Sequence, residues 1–319
     1  MSRIKPKDLA NNPERLTGGH RLCAGCGHPI AVRQIMSVCP GPAVITVATG
    51  CLEVSTTIYP YTSWKDSYIH SAFENAGATI SGVEAAYNSL KRQGKVEQDF
   101  YFVAIGGDGG TYDIGLQALS GAAERGHNFV YVCVDNGAYM NTGFQRSSAT
   151  PAGAWTTTTP FGKESYGKEQ NRKDMAAIMV AHDIPYVATC SPHNFKDMMR
   201  KAKTAFETPG PAYLNVMSPC PRGWRTPDDQ TIALAKESVT SCAWPLYEVL
   251  NGRYKVNYKP VKKKTPVKEW LQKQGRFQHL FKGGENTEVL DRIQAHTDFK
   301  WEELLRKEEC FPLEEAEEE

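Results

Sequence analysis

The sequence predicts an α/β fold in which a mainly parallel sheet is flanked by helices, with an extension at the C-terminal end. Three observations carry this prediction. Short apolar runs, Ala43 to Ala48, Tyr101 to Ile105, Phe129 to Val134, Tyr186 to Thr189 and Ala212 to Met217, alternate with helical stretches. The run Phe129 to Val134 is apolar throughout, as a strand buried on both faces requires. Several runs end in turns rich in glycine and polar residues, where open sheets of this kind gather their ligands.

In chain order, residues 1 to 20 read as an extended arm. Cys23-Ala24-Gly25-Cys26 then leads through His28 and Pro29 into a helix over Ile30 to Val38. Pro29 suits the first turn, where its missing N–H leaves nothing unpaired. His28 stands at the positive end of that helix, as a phosphate contact or as a cap without a ligand. After Ala43 to Ala48 the chain turns at Thr49-Gly50-Cys51, and His70 to Gln93 reads as one helix rich in small residues near its start. Tyr101 to Ile105 feeds the turn Gly106 to Gly110, Asp113 to Arg125 is the crossover helix, and Phe129 to Val134 is the next strand.

The polar segment Tyr139 to Thr159 is long for a structureless loop in a compact domain, which marks it as functional. A helix over Lys173 to His182, the strand Tyr186 to Thr189, a helix over Asn194 to Phe206 and the strand Ala212 to Met217 follow, ending in Ser218-Pro219-Cys220-Pro221. From Trp224 the character changes. Ile232 to Val239 and Leu246 to Leu250 predict helices, and Lys255 to Lys268 is basic and proline-broken around Lys262-Lys263-Lys264, the mark of a solvated face. Val289 to Leu305 predicts an amphipathic helix before an acidic tail. The expected division is an arm over 1–20, a ligand-binding domain over 21–225 and a subunit-contacting extension over 226–319.

The 319 residues include 37 basic and 36 acidic side chains, a balance that gives no footprint for nucleic acid. There is no apolar run of about 18 residues, so no membrane span is expected. Met1 to Arg15 lacks the apolar core of a signal peptide, and a cytoplasmic location is the expectation.

Asp108 leaves one strand within Gly106-Gly107-Asp108-Gly109-Gly110, and Asn136 leaves the next. Oxygen donors at neighbouring strand ends can converge on one hard cation, and flanking glycines let backbone N–H groups approach an anion. This pairing predicts a diphosphate held through a metal. The plain alternatives are an Asp-Gly turn and an Asn-Gly hairpin.

Of nine cysteines, Cys39, Cys133, Cys190, Cys242 and Cys310 read as small buried or incidental thiols. Cys23, Cys26, Cys51 and Cys220 each lie in a glycine- or proline-bearing loop. Four thiolates gathered from separate loops can hold a 4Fe-4S cluster or a structural zinc.

The Gly-Asp-Gly turn with its following asparagine resembles the diphosphate-and-metal motif of thiamine-diphosphate enzymes. Cys23-Ala24-Gly25-Cys26-Gly27, Ala48-Thr49-Gly50-Cys51-Leu52-Glu53, the Gly106 to Gly110 turn, Asn136 to Gly143, Ser147 to Pro151 and Ser218 to Pro221 together resemble the β subunit of 2-oxoacid:ferredoxin oxidoreductases, the pyruvate:ferredoxin oxidoreductases most of all. The resemblance covers about residues 18 to 280 and implies a thiamine-diphosphate-binding fold.

It further implies that Cys23, Cys26, Cys51 and Cys220 hold a 4Fe-4S cluster. Asp108, the Asn136 side chain and the Ala138 carbonyl would hold Mg2+, with Asn136 standing where some relatives have threonine. Gly107, Gly109, Gly110, His28 and Cys51 would border the thiamine diphosphate, and Asn141 would face its substrate adduct as the catalytic candidate.

The implied reaction is the reversible oxidative decarboxylation of pyruvate with coenzyme A to acetyl-CoA and CO2, electrons leaving through the cluster to ferredoxin. The implied partners are an α subunit that completes the active site, and γ and δ subunits, the δ ferredoxin-like. Glu53, Glu74 and Glu84 have no motif that makes any of them the carboxylate partner of the thiamine ring. The competing expectations are an oxidoreductase for oxalate or 2-oxoisovalerate, a non-redox thiamine enzyme with zinc, and an electron-transfer subunit without thiamine.

Overall fold

A computed structural model describes residues 12–261 and 264–314. Most of the predicted arm, two residues of the lysine triplet (262 and 263) and the end of the acidic tail (315–319) lie outside the described residues.

The centre is an eight-stranded sheet. Its strands are β1 (Ala43–Ala48), β2 (Ser67–Ser71), β3 (Tyr101–Gly107), β4 (Val130–Asp135), β5 (Tyr186–Cys190), β6 (Ala212–Met217), β7 (Tyr247–Leu250) and β8 (Arg253–Val256), in the order β2-β1-β3-β4-β6-β5-β7-β8. The first six of that order pair in parallel, and β7 and β8 close one edge as an antiparallel hairpin. In β4, Val130, Val132 and Val134 point into one core and Tyr131 and Cys133 into the other. That two-sided burial is why β4 has no polar alternation.

Helices cover both faces. α1 (Gly27–Met36) precedes β1, α2 (Cys51–Thr56) follows it, α3 (Ala76–Arg92) precedes β3, α4 (Leu116–Glu124) precedes β4 and α5 (Met175–Val180) precedes β5. α6 (Phe195–Glu207) precedes β6; α7 (Pro221–Trp224) and α8 (Thr231–Thr240) follow it. α1 and α6 pack on one face through Val32, Ile35, Met198 and Ala202. α3, α4 and α5 pack on the other through Ile80, Leu119 and Met179. Asn194 caps α6 by accepting from the Asp197 N–H, which supplies its sharp start.

Two predicted helices are corrected. His70 to Gln93 is not one helix, because Ser67–Ser71 is edge strand β2 and α3 begins only at Ala76. With one neighbour in the sheet and one buried residue, this strand needs no apolar run. Leu246 to Leu250 is not a helix but carries strand β7. Asn251 and Gly252, at φ 48° and 75°, form the hairpin turn into β8.

The strand order reverses beside β1, with β2 on one side and β3 on the other. At such a switch point the loops leaving neighbouring strands diverge and open a crevice at their carboxyl ends. The C-terminal segment continues through α9 (Val267–Leu271) and a 3-10 turn at Gly275–Leu280 into α10 (Thr287–Cys310). Trp224, Leu234, Trp270, Phe277, Leu280 and Val289 build a third core against Ala138, Met140 and Met217. The extension thus packs directly behind the loops that follow β4 and β6.

Candidate cofactor site

The crevice at the β1/β3 switch point has an empty volume of about 810 Å3 and is lined by residues 47–52 after β1, 105–110 after β3 and 138–142 after β4, with His28, Phe73 and Asn136. The β3 turn continues as a π-helical turn, Gly109–Ile114, before α4, so the predicted helix over Asp113 to Arg125 begins only at Leu116. A Cβ at Gly109 would stand 2.3 Å from the Tyr139 ring, so only glycine lets that ring close over the turn. Tyr139 is held there by Asp113 Oδ2 at 2.9 Å and by an edge contact with Phe73.

Asp108 is 1 % exposed and accepts from Ser147 Oγ at 2.5 Å and from the Asn136 N–H at 3.3 Å. Burial, followed by the charge of Asp135, raises its carboxyl to about 8. Among the described residues this buried acid makes no salt bridge, and a bound divalent ion would supply the positive charge that its ionised form needs. Asn136 and Ala138 are buried next to it, and the Asn136 Oδ1 accepts from the Ala138 N–H at 3.3 Å.

His28 is 3 % exposed, and burial alone lowers it to about 4, so the ring is neutral. Asn136 Nδ2 lies 3.3 Å from its Nε2, and Ser218 Oγ lies 2.6 Å from its Nδ1. The amide N–H2 can only donate, which sets Nε2 as acceptor and Nδ1 as the protonated nitrogen donating to Ser218. Both nitrogens are engaged within the protein. His28 thus lines the crevice as a neutral ring hydrogen-bonded to Asn136 and Ser218.

Asp135 braces the floor. Its Oδ2 accepts from Arg172 at 2.6 Å and Tyr112 at 2.7 Å, and its Oδ1 accepts from the Gly137 N–H at 3.0 Å. Arg172 lies over the Trp244 ring at 4.6 Å. Trp224 Nε1 donates to the Asn136 carbonyl at 2.7 Å, fixing the β4 loop from behind. Asn141 lines the crevice and is exposed.

The four predicted cysteines lie near enough to act on one another's charge, Cys23, Cys51 and Cys220 on Cys26, and Cys23 and Cys220 on Cys51. Cys26 and Cys51 are each raised to about 12, by burial first and then by neighbouring thiols of the same set; burial also raises Cys220. Gly25, at φ 68°, sits where a Cβ would meet the Asp228 carbonyl at 2.0 Å, so the Cys23 to Cys26 loop closes only with glycine there. The Gly27 N–H donates to Pro219 O at 3.1 Å, binding that loop to the Cys220 loop. Thiols that burial and mutual repulsion hold protonated need a metal centre to ionise. Among the described residues no three Cys, His, Asp or Glu side chains close around a single ion. Cys51 lines the crevice as well and feels the charge of Asp108, so the two sites adjoin.

Sequence reasoning gave no role to Ser147, Ser218, Asp135, Tyr112, Arg172 or Trp224. Ser147 and Ser218 stand inside motifs that were recognised, whereas nothing local to Arg172 or Trp224 predicts their contacts.

Residues 48–216 match the family described as thiamine pyrophosphate enzyme, C-terminal TPP binding domain. Fold, crevice and match define the chain as a thiamine-diphosphate-binding enzyme component. It is 50% identical over 299 residues to pyruvate synthase subunit PorB of Thermotoga maritima, covering 92% of each chain. It is 42% identical to ketoisovalerate oxidoreductase subunit VorB of Pyrococcus abyssi, covering 93% of this chain and 94% of the relative. Among solved structures, 2-oxoglutarate:ferredoxin oxidoreductase from Magnetococcus marinus, with 2-oxoglutarate, coenzyme A and succinyl-CoA bound, superimposes with a TM-score of 0.54 at 25% identity, over 74% of this chain and 81% of that one. The chain belongs to the family of pyruvate synthase PorB subunits.

Proposed function

We propose that this chain is the thiamine-diphosphate- and cluster-binding β subunit of a cytoplasmic pyruvate:ferredoxin oxidoreductase, which converts pyruvate and coenzyme A to acetyl-CoA and CO2, reversibly. The observation that carries the reading is the adjacency of two sites through Cys51, which belongs both to the crevice around Asp108 and to the cysteine set. Thiamine diphosphate, when bound, takes up the electron pair released as the 2-oxoacid loses CO2. Asp108, the Asn136 Oδ1 and the Ala138 carbonyl would hold Mg2+ against the diphosphate, with Ser147 and His28 fixing the first two. Gly107, Gly109 and Gly110 would bring backbone N–H groups near the phosphates.

Cys23, Cys26, Cys51 and Cys220 would hold a 4Fe-4S cluster as the first electron acceptor. What supports the cluster is that the thiols of this set act on one another's ionisation and that thiolates from separate loops are the usual ligands of such clusters. Asn141 would meet the substrate at the open mouth, where an α subunit would close the site and supply the ring's carboxylate partner. γ and δ subunits would carry electrons onward to ferredoxin.

The relationship to a ketoisovalerate enzyme supports a second reading, a branched 2-oxoacid as substrate. The visible spectrum and iron content of the anaerobically purified chain test the cluster. About four irons per chain, with a band near about 400 nm that bleaches on reduction, is the expected result. In the assembled complex, Asp108→Ala should remove Mg2+-dependent thiamine diphosphate binding and turnover. Full affinity and activity in that variant would overturn the site assignment, and turnover with each 2-oxoacid ranks the two substrates.

A further inference from the structure

Arg276 lies in the 3-10 turn of the C-terminal extension and is 2 % exposed. Its guanidinium lies over the Trp224 ring at 4.1 Å and over the Phe277 ring at 5.2 Å. Among the described residues its Nε donates to the Gln274 Oε1 at 2.9 Å, while Nη1 is buried without a partner against Gly137. Among the described residues no carboxylate pairs with it. Burial lowers the guanidinium to about 9, and the first of the charges that oppose this is Cys220. A cation buried without an anion is costly, and natural proteins keep one where an anion arrives.

Trp224 connects this cation to both loops that matter. It is the last residue of α7, whose first turn begins after Cys220, and the Gly223 N–H of the same turn lies 3.3 Å from the Cys220 sulfur. Its indole N–H holds the Asn136 carbonyl. Arg276 is therefore anchored behind the Cys220 loop by an aromatic wall, with an unused N–H and, among the described residues, no carboxylate in direct contact, the charges of Cys220, Asp135 and Asp108 acting on it from further off.

We propose that Arg276 is the resident counter-charge of the cluster held by the four cysteines, and that it raises the cluster's reduction potential. The inference rests on the cluster assignment made above. A cluster ligated by thiolates gains one negative charge when it accepts one electron, so a fixed positive charge beside it stabilises the reduced form more than the oxidised form. Net charge and hydrogen bonds at the sulfurs are among the levers that set such potentials. The effect also gives the extension a task at the site, since residue 276 enters from outside the sheet domain.

The test is a redox titration of the full chain, purified anaerobically, with the reduced cluster followed by electron paramagnetic resonance. In Arg276→Gln the oxidised-to-reduced ratio at a fixed potential should rise at least about tenfold, a midpoint lowered by about 59 mV for one electron. Arg276→Lys should keep most of the parent potential. Gln274→Glu, which sets a carboxylate against the guanidinium and leaves Arg276 in place, should lower the midpoint in the same direction and decides the matter if Arg276→Gln does not fold. Thiamine diphosphate affinity should be unchanged in all three.

An unmoved midpoint in Arg276→Gln or Gln274→Glu with full iron overturns the proposal. So does a loss of thiamine diphosphate affinity with the potential unmoved, which would assign the cation to the diphosphate. Parent protein without iron would instead overturn the cluster assignment itself.

Discussion

Replacing Asp108 by asparagine separates the stability cost of the buried carboxylate from its use. In the cofactor-free chain, burial and the neighbouring Asp135 raise this carboxyl from 3.8 to about 8. A carboxyl raised in the folded state binds its proton more tightly there than in the unfolded chain. Stability is then undiminished below about pH 4, falls as pH rises, and carries the whole penalty above about pH 8. About three pH units separate the ordinary value from pH 7, at about 1.4 kcal/mol each, so the penalty at pH 7 is roughly 4 kcal/mol.

Asparagine carries no charge, but its NH2 replaces one of the two oxygens that accept from the Ser147 hydroxyl and the Asn136 N–H, so one of those hydrogen bonds is lost. One lost hydrogen bond costs about 1 kcal/mol. The cofactor-free variant should therefore be more stable than its parent by about 3 kcal/mol at pH 7, with the gain shrinking as pH falls toward 4. Mg2+-dependent thiamine diphosphate binding should disappear. Urea denaturation of the metal-free chain at several pH values, with calorimetric titration of the cofactor, reads both effects. A variant less stable than the parent at pH 7 would refute the account of the buried acid.

Three further outcomes are expected. Arg200 holds Glu248 at 2.7 Å and, with desolvation opposing, draws that buried carboxyl down to about 2; Arg200→Met should cost about 3–5 kcal/mol at pH 7 by urea denaturation. The parent's contribution from this pair is complete above about pH 4.5 and is lost as pH falls toward 2, so the two proteins should converge in acid. Gly109→Ala drives a Cβ into the Tyr139 ring, an overpacking of about 1–3 kcal/mol that should appear as weaker thiamine diphosphate binding with normal iron content. Cys220→Ser should lower iron per chain as strongly as Cys51→Ser, whereas Cys39→Ser, a buried thiol whose sulfur donates to the Gly41 carbonyl at 3.4 Å, should leave iron unchanged.

The parallel strands were legible because burial on both faces forces continuous apolar runs, and Ala43–Ala48 and Ala212–Met217 were bounded to the residue. Strand β2 was not, since Ser67-Tyr68-Ile69-His70-Ser71 has one sheet neighbour and little to bury. Strand β7 was misread, although Asn251-Gly252 between two short runs is a hairpin signal in its own right. At the site, residues at strand ends were readable because strand, turn and helix follow one another in sequence.

The bracing residues were not readable. Arg172 meets Asp135 across 37 positions and Trp224 meets Asn136 across 88, contacts that only the folded chain creates. Arg276 lies in a segment whose sequence shows no motif at all.

The chain of contacts from Asn136 through His28 to Ser218 has a consequence for assembly. It joins a residue of the crevice to the loop that ends in Cys220, so neither can be ordered without biasing the other. Linkage is reciprocal: if a metal centre on the cysteines tightens cation binding at Asn136 by some factor, the cation tightens retention of that centre by the same factor. Maturation would then be self-reinforcing, with a partly loaded chain drawing in its missing component, and iron leaving faster from protein stripped of Mg2+ and thiamine diphosphate than from protein that keeps them.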